Sequence, residues 1–194
     1  MMIVRNIYIN MLNLAENNVL AGALQGRKTL GLLLEHMEGE TMHPQMVYLD
    51  FKGTEVATAS FLRESILEFR NIVRRRWVNC YPVLANASDS VIEELLILLE
   101  PRRDVLMLCG LDEEGNPHSS RLVGALDPKQ SITFDLVKKL GETDAKELMR
   151  KFKEFENVRQ TAWNNRLASL SRLGLLMELS QGRGKRYRPL PLGG

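Results

Sequence analysis

With 194 residues, 44% hydrophobic and 26% charged, the chain can bury ordinary cores in one large domain or two small ones, which excludes a disordered polymer. No run of 18 apolar residues occurs, and the opening "MMIVRNIYIN" lacks the apolar core and small-residue cleavage site of an export signal, so a cytoplasmic protein is expected. The net charge of +2 conceals a division near Ala125: residues 1–125 hold 12 Lys and Arg against 16 Asp and Glu, about −4, and residues 126–194 hold 14 against 8, about +6.

The stretch "IVRNIYINM" alternates as a strand does, and "VLAGALQGRKTLGLLLEHM" (19–37) predicts a helix weakened by Gly22, Gly26 and Gly31. "QMVYLDFKG" (45–53) predicts a buried strand ending in a Lys52-Gly53 turn. From Thr58 to Arg76, Phe61, Leu62, Ile66, Phe69, Ile72 and Val73 recur at three- and four-residue intervals, with Arg63, Glu64, Glu68, Arg70 and Arg74 expected on the outer side of one helix. "WVNCYPVLAN" (77–86) is the next strand, and Pro82, which cannot donate to a ladder, suggests an edge position or a strand end. "SDSVIEELLILLEP" predicts a helix opened by Ser90 and Glu93 in capping spacing and closed before Pro101. "DVLMLCGL" (104–111) is a third strand of the interior type. Strands separated by helices imply an α/β fold with a mostly parallel or mixed sheet.

This half carries no glycine-rich dinucleotide fingerprint, phosphate-loop lysine motif or nucleophile elbow. His36, His43 and His118 lack neighbours at metal-ligand spacing, and Cys80 and Cys109 form no zinc set, so ordinary histidines and buried thiols are expected, with no metal, cofactor or catalytic centre. Asp50, at a strand end, has no partner base and is expected to bind loop amides.

The stretch "VYLDFKGTEVATASFLRESILEFRNIV" resembles the central strand, loop and helix of a STAS domain, and more closely the STAS-like family with an "LDF-x-G" strand end and an Ala/Ser-Phe helix start. The upstream "LAGALQGRKTLGLLLEHM" is similar to that family's helix of small residues and arginine, and the resemblance covers about residues 1–115. In partner-switching members a phosphorylated serine controls a kinase-like ATPase. The matching stretch here is Thr58-Ala59-Ser60-Phe61, with Ala59 at the usual acceptor position. Ser60 or Thr58 could substitute as phosphoacceptor, because a helix N-terminus favours a phosphate; alternatively Thr58 caps the helix.

In the last 70 residues, "LDPKQSITFDLVKKLGE" predicts a helix with Pro128 near its start, apolar Ile132, Leu136, Val137 and Leu140, and Gly141 as its stop. "TDAKELMRKFKEF" follows, with Asp144 and Glu147 in capping spacing and Leu148, Phe152 and Phe155 along one side. A third helix should begin between Asn157 and Thr161. Steps of about 100° gather Trp163, Leu167 and Leu170 toward a core, and set Thr161, Asn165, Ser169 and Arg172 opposite, flanked by Asn164 and Arg166. Past Gly174, "LLMELS" and "RYRPL" predict two strands joined by "QGRGK". Residues 159–188 carry seven basic side chains (Arg159, Arg166, Arg172, Arg183, Lys185, Arg186 and Arg188) against the single acid Glu178, the charge footprint expected of a nucleic-acid module.

Three helices ending in a basic hairpin resemble a winged helix-turn-helix domain, and "TAWNNRLASLSRLGLLMELSQGRGKRYRPL" is similar to the recognition helix and wing of bacterial transcription regulators. The resemblance covers about residues 126–191 and implies a domain pair: STAS-like α/β over 1–125, winged helix over 126–194. Short Thr161, Asn164 and Asn165 would let the backbone approach base edges in a major groove, while Arg166, Arg172, Arg183, Lys185 and Arg186 would hold phosphates or enter the minor groove. The expected function is a non-enzymatic, DNA-binding transcription regulator, acting on duplex DNA as a homodimer. The alternative is a partner-switching adaptor that binds a kinase-like ATPase or sigma-type factor and no DNA.

Overall fold

A computed structural model describes residues 6–15, 18–153, 158–181 and 184–193. The chain is a mixed α/β protein that divides into two compact units, Met1–Ala125 with Leu192–Gly194, and Leu126–Pro191.

The first unit is built on a row of apolar side chains in register. Strands β1 (Ile7–Asn10), β3 (Gln45–Asp50), β5 (Cys80–Ala85) and β6 (Val105–Leu111) run parallel, and Ile9 pairs with Leu49, Leu49 with Leu84, and Leu84 with Leu108. Side chains alternate along a strand, so this row faces one way. It meets buried residues of α2 (Ala23–Glu35), α3 (Ala59–Leu62), α4 (Glu68–Arg76) and α5 (Asp89–Leu99), among them Leu33, Phe61, Leu62, Phe69, Val91 and Leu95. On the other parity Tyr8 and Tyr48 pair and stack, ring centroids 4.9 Å apart. β7 (Pro117–Gly124) runs antiparallel to β6 and completes the order β1-β3-β5-β6-β7, so the sheet is mixed. A short helix α1 (Met11–Ala15) follows β1, and a parallel pair β2 (Val19–Leu20) and β4 (Val56–Ala57) lies outside the main sheet.

Several sequence expectations require correction. The segment 19–37 is not helical throughout: Val19–Leu20 is a strand, and Gly22, at φ 84°, precedes α2. Pro82 sits in an interior strand. Asn79 and Ala85 turn their carbonyls toward the β3 side, accepting from Gln45 and Phe51, so Pro82, of opposite parity, faces β6. The β5–β6 pairs are Leu84–Leu108 and Ala85–Cys109, beyond Pro82, and the missing donor leaves no rung broken. The cap of α5 is Ser88, which accepts from the Val91 amide; Ser90 lies inside the helix. Arg70 and Arg74 are buried. Between α3 and α4, Arg63–Leu67 is π-helical, and a π turn takes more residues than an α turn. Residues after it lag in phase, which turns both arginines inward. Arg70 then donates to the Asp104 carboxylate and the Val105 carbonyl, while Arg74 donates to the carbonyls of Val78 and Cys80 and lies over the Tyr81 ring.

Two glycines of α2 differ in what surrounds them. A Cβ on Gly26 would lie 2.7 Å from the Phe61 carbonyl oxygen and 3.0 Å from Glu64 Cβ, whereas a Cβ on Gly31 meets nothing within 4 Å. Gly26→Ala is therefore expected to cost about 1–3 kcal/mol by forcing α2 off the α3 end, and Gly31→Ala to stabilise by about 0.5–1 kcal/mol. Urea denaturation of the two variants should shift the midpoint in opposite directions.

In the second unit Asp127 accepts from the amides of Lys129 and Gln130 and starts α6 (Pro128–Leu140), with Pro128 in the first turn, where no amide donor is needed. Gly141, at φ 76°, ends it. Asp144 accepts from the Glu147 amide and starts α7 (Ala145–Lys151). α8 (Gln160–Arg172) then packs on α6, α7 and the following strand, with Trp163, Leu167 and Leu170 buried. Gly174 leads into β8 (Leu176–Gln181) and β9 (Gly184–Pro189), an antiparallel pair. Of the apolar residues of α6, Ile132 is exposed and Val137 is buried, beside Thr133 and Phe134. Phe155 and Asn157 lie outside the described residues.

Candidate nucleic-acid interface

The polar side of α8 is set by its apolar side. Trp163, Leu167 and Leu170 are buried, which leaves Thr161, Asn164, Asn165 and Arg172 exposed. Ser169 is tied to α6, since Gln130 Nε2 donates to its hydroxyl at 2.8 Å. Arg166 is half-buried, its guanidinium 4.9 Å from the centroid of the Trp163 ring, so cation–π attraction lays it along the helix flank. Among the described residues no side chain caps the start of α8, and its first turn contains no acid. Its leading amides and the positive end of its dipole are thus not offset by a carboxylate in that turn.

The hairpin is joined to the helices through its backbone. Thr143, in the α6–α7 connection, forms an antiparallel bridge with Tyr187: the Thr143 amide donates to the Tyr187 carbonyl at 2.9 Å, and the Tyr187 amide to the Thr143 carbonyl at 2.8 Å. Beside this bridge Arg186 is enclosed by acids. Its Nε donates to Glu142 Oε1 at 2.6 Å, one terminal nitrogen to Asp144 Oδ2 at 3.2 Å, and the other lies 3.5 Å from both the Glu142 carbonyl and Glu147 Oε2. The Glu142 hydrogen bond and the surrounding carboxylates push the Arg186 pKa up, holding it charged. Glu147 is held below the usual carboxylate range by Lys151 and by the Thr143 hydroxyl. Lys185 is exposed and lies 2.7 Å from Glu178, whose other oxygen accepts from the Tyr187 hydroxyl at 3.2 Å. Arg188 is exposed, and Arg183 lies outside the described residues.

Thr161, Asn164, Asn165 and Arg172 thus share the outer side of one helix, while Arg166 lies over Trp163 and Arg186 is held by the molecule's own carboxylates. Sequence reasoning missed Glu142, Asp144 and Glu147 as partners of Arg186. The one available signal was the run "GETDAKE", three acids opposite a basic hairpin.

In the first unit Thr58 acts as a cap. Its hydroxyl oxygen accepts from the amides of Gly22 at 3.1 Å and Phe61 at 3.4 Å, and lies 3.2 Å from the Ser60 hydroxyl. The Ala59 amide donates to a Glu94 oxygen at 2.7 Å, so a carboxylate already occupies the start of α3. Thr58→Ala is expected to lose about 1–2 kcal/mol and Thr58→Ser to keep most of it, as read by urea denaturation. Asp50 accepts from the Lys52 amide and from Asn86 Nδ2, as a loop-binding carboxylate does. Cys80 and Cys109 are buried, and burial pushes the Cys109 thiol up to about 11. Among the described residues no cluster of three or more His, Cys, Asp or Glu could hold a metal ion, and no helix is long and apolar enough to cross a membrane.

Compared with known proteins, the chain matches no family model and no curated relative.

Proposed function

We propose that residues 126–191 act as a winged helix that binds duplex DNA, with the α/β unit as a STAS-like sensing or protein-interaction module, in a transcription regulator without catalytic activity. One observation carries the reading: α8 buries Trp163, Leu167 and Leu170 and turns Thr161, Asn164 and Asn165 to the outside. Short polar side chains on an exposed helix allow close approach to a major groove, where asparagine amides match the adenine edge. Arg172, Lys185 and Arg188 add positive charge on the same unit and fit phosphate contacts that fix register without reading sequence. In a homodimer two copies of α8 would read half-sites related by two-fold symmetry.

Fluorescence anisotropy on labelled duplex DNA at several salt concentrations tests this. Removing one phosphate-binding cation lowers the slope of log K against log salt by about 0.9, so Lys185→Ala with Arg188→Ala should flatten the slope by up to about 2. Asn164→Ala with Asn165→Ala should weaken preference between sequences and leave the slope alone. Binding indifferent to salt in the unaltered protein rejects the proposal.

A second reading has its own support. Val19 and Val56 are register partners in the β2–β4 pair and both are exposed, 37% and 40%, next to the Thr58 cap. An apolar lip of this kind suits a protein partner and favours the adaptor, with a kinase-like ATPase or sigma-type factor on the first unit and Ser60 or Thr58 as phosphoacceptor. That reading predicts a co-purified partner that survives nuclease treatment and no shift of duplex DNA.

A further inference from the structure

We infer that Arg186 is a positioning residue for nucleic-acid binding: clasped by Glu142, Asp144 and Glu147, it fixes the β8–β9 hairpin to the α6–α7 connection and makes no phosphate contact. The inference rests on the duplex-DNA reading of this unit. Three carboxylates approach one guanidinium, and each guanidinium nitrogen already has an acceptor within 3.5 Å. A phosphate could take the fork only by displacing Glu142 or Asp144, and would then meet the bared carboxylates at close range. The backbone adds to the constraint. Tyr187, the next residue, exchanges both its amide and its carbonyl with Thr143, so the main chain beside Arg186 is fixed and the root of its side chain is held next to the three acids. Clasp and bridge therefore act as one joint, which sets where Lys185 and Arg188 stand relative to the exposed side of α8.

This separates two kinds of basic residue that sequence alone makes equivalent. Removing a phosphate ligand reduces affinity and flattens the salt dependence together. Removing a positioning residue reduces affinity while the number of phosphate-binding cations stays the same.

The test uses the full chain. The variants are Arg186→Ala, Glu142→Ala, both together, and the charge-swapped pair Arg186→Glu with Glu142→Arg. Hydrogen exchange at the Thr143 and Tyr187 amides is measured without DNA, and anisotropy on duplex DNA across a salt series. The expected result is that Arg186→Ala and Glu142→Ala each speed exchange at those amides and weaken binding about tenfold. The double variant should be no worse than either single one, the swap should recover part of the loss, and the salt slope should stay within error throughout. The inference fails if Arg186→Ala flattens the slope as Lys185→Ala does, or if Glu142→Ala leaves affinity unchanged or raises it. It also fails if both amides keep their protection in every variant. Absence of salt-dependent binding by the unaltered protein instead rejects the duplex reading itself, and this role with it, whatever the amides report.

Discussion

Replacing Trp163 with alanine is expected to unfold the second unit and leave the first folded. Among the described residues Trp163 is the largest fully buried side chain, 1% exposed, and it lies on α8 ahead of the turns that carry Leu167 and Leu170. Truncating a buried tryptophan costs about 3–5 kcal/mol through forfeited transfer energy and the cavity left behind, a large share of what a unit the size of Leu126–Pro191 can hold. The cation–π attraction with Arg166 goes as well. Hydrogen exchange with peptide resolution should show α6, α7 and α8 exchanging at once while β3 and β5 stay protected. Trp163→Phe distinguishes volume from chemistry. Among the described residues the indole Nε1 is buried with no hydrogen-bond partner, and an unpaired buried donor costs about 1–3 kcal/mol. Phenylalanine removes that donor and keeps much of the apolar volume, so it should be far milder than alanine. Equal destabilisation in both variants would show that neither the volume nor the unpaired donor matters as argued.

The second large effect belongs to Arg70. Its guanidinium is buried and donates to both oxygens of Asp104 and to the Val105 carbonyl, fastening α4 to the start of β6. Arg70→Ala leaves a carboxylate and a carbonyl short of partners in the interior, at a cost of about 3–5 kcal/mol. Arg70→Met combined with Asp104→Leu removes both charges together and should return roughly half of that stability, the remainder reflecting the Val105 amide and carbonyl that the pair had satisfied. Thermal unfolding of both variants decides the matter. A double variant no better than Arg70→Ala would mean that the pair contributes net attraction beyond mutual compensation.

What was legible in the sequence was local. The Pro128 start and Gly141 stop of α6, the Asp144 cap of α7, and the Trp163, Leu167 and Leu170 face of α8 each depend on residues within a turn or two of one another. β3 was legible for the same reason, as a continuous apolar run. β7 was not, because "PHSSRLVG" lies antiparallel at the sheet edge with Val123 its one buried side chain, and gives no apolar run to detect. The inward turn of Arg70 and Arg74 depends on the π-helical segment before them, which a constant angular step cannot register. The interior place of Pro82 depends on which neighbour its nitrogen faces. At the candidate site the exposed amides of α8 followed from periodicity. The acids around Arg186 did not: Glu142 and Asp144 lie 44 and 42 positions from it in the chain and meet it only when the hairpin folds back.

The bridge between Thr143 and Tyr187 carries a consequence for the order of folding. Its residues are far apart along the chain, and a pairing of such separation must offset the entropy of closing a long loop. The helices, whose contacts are shorter in range, are expected to dock before it, and the hairpin's attachment to them is expected to form late and open early. A protease able to cut after basic residues should therefore cut after the exposed Lys185 of β9 before it cuts within α8, and a bound ligand that holds the hairpin shut would slow that first cut.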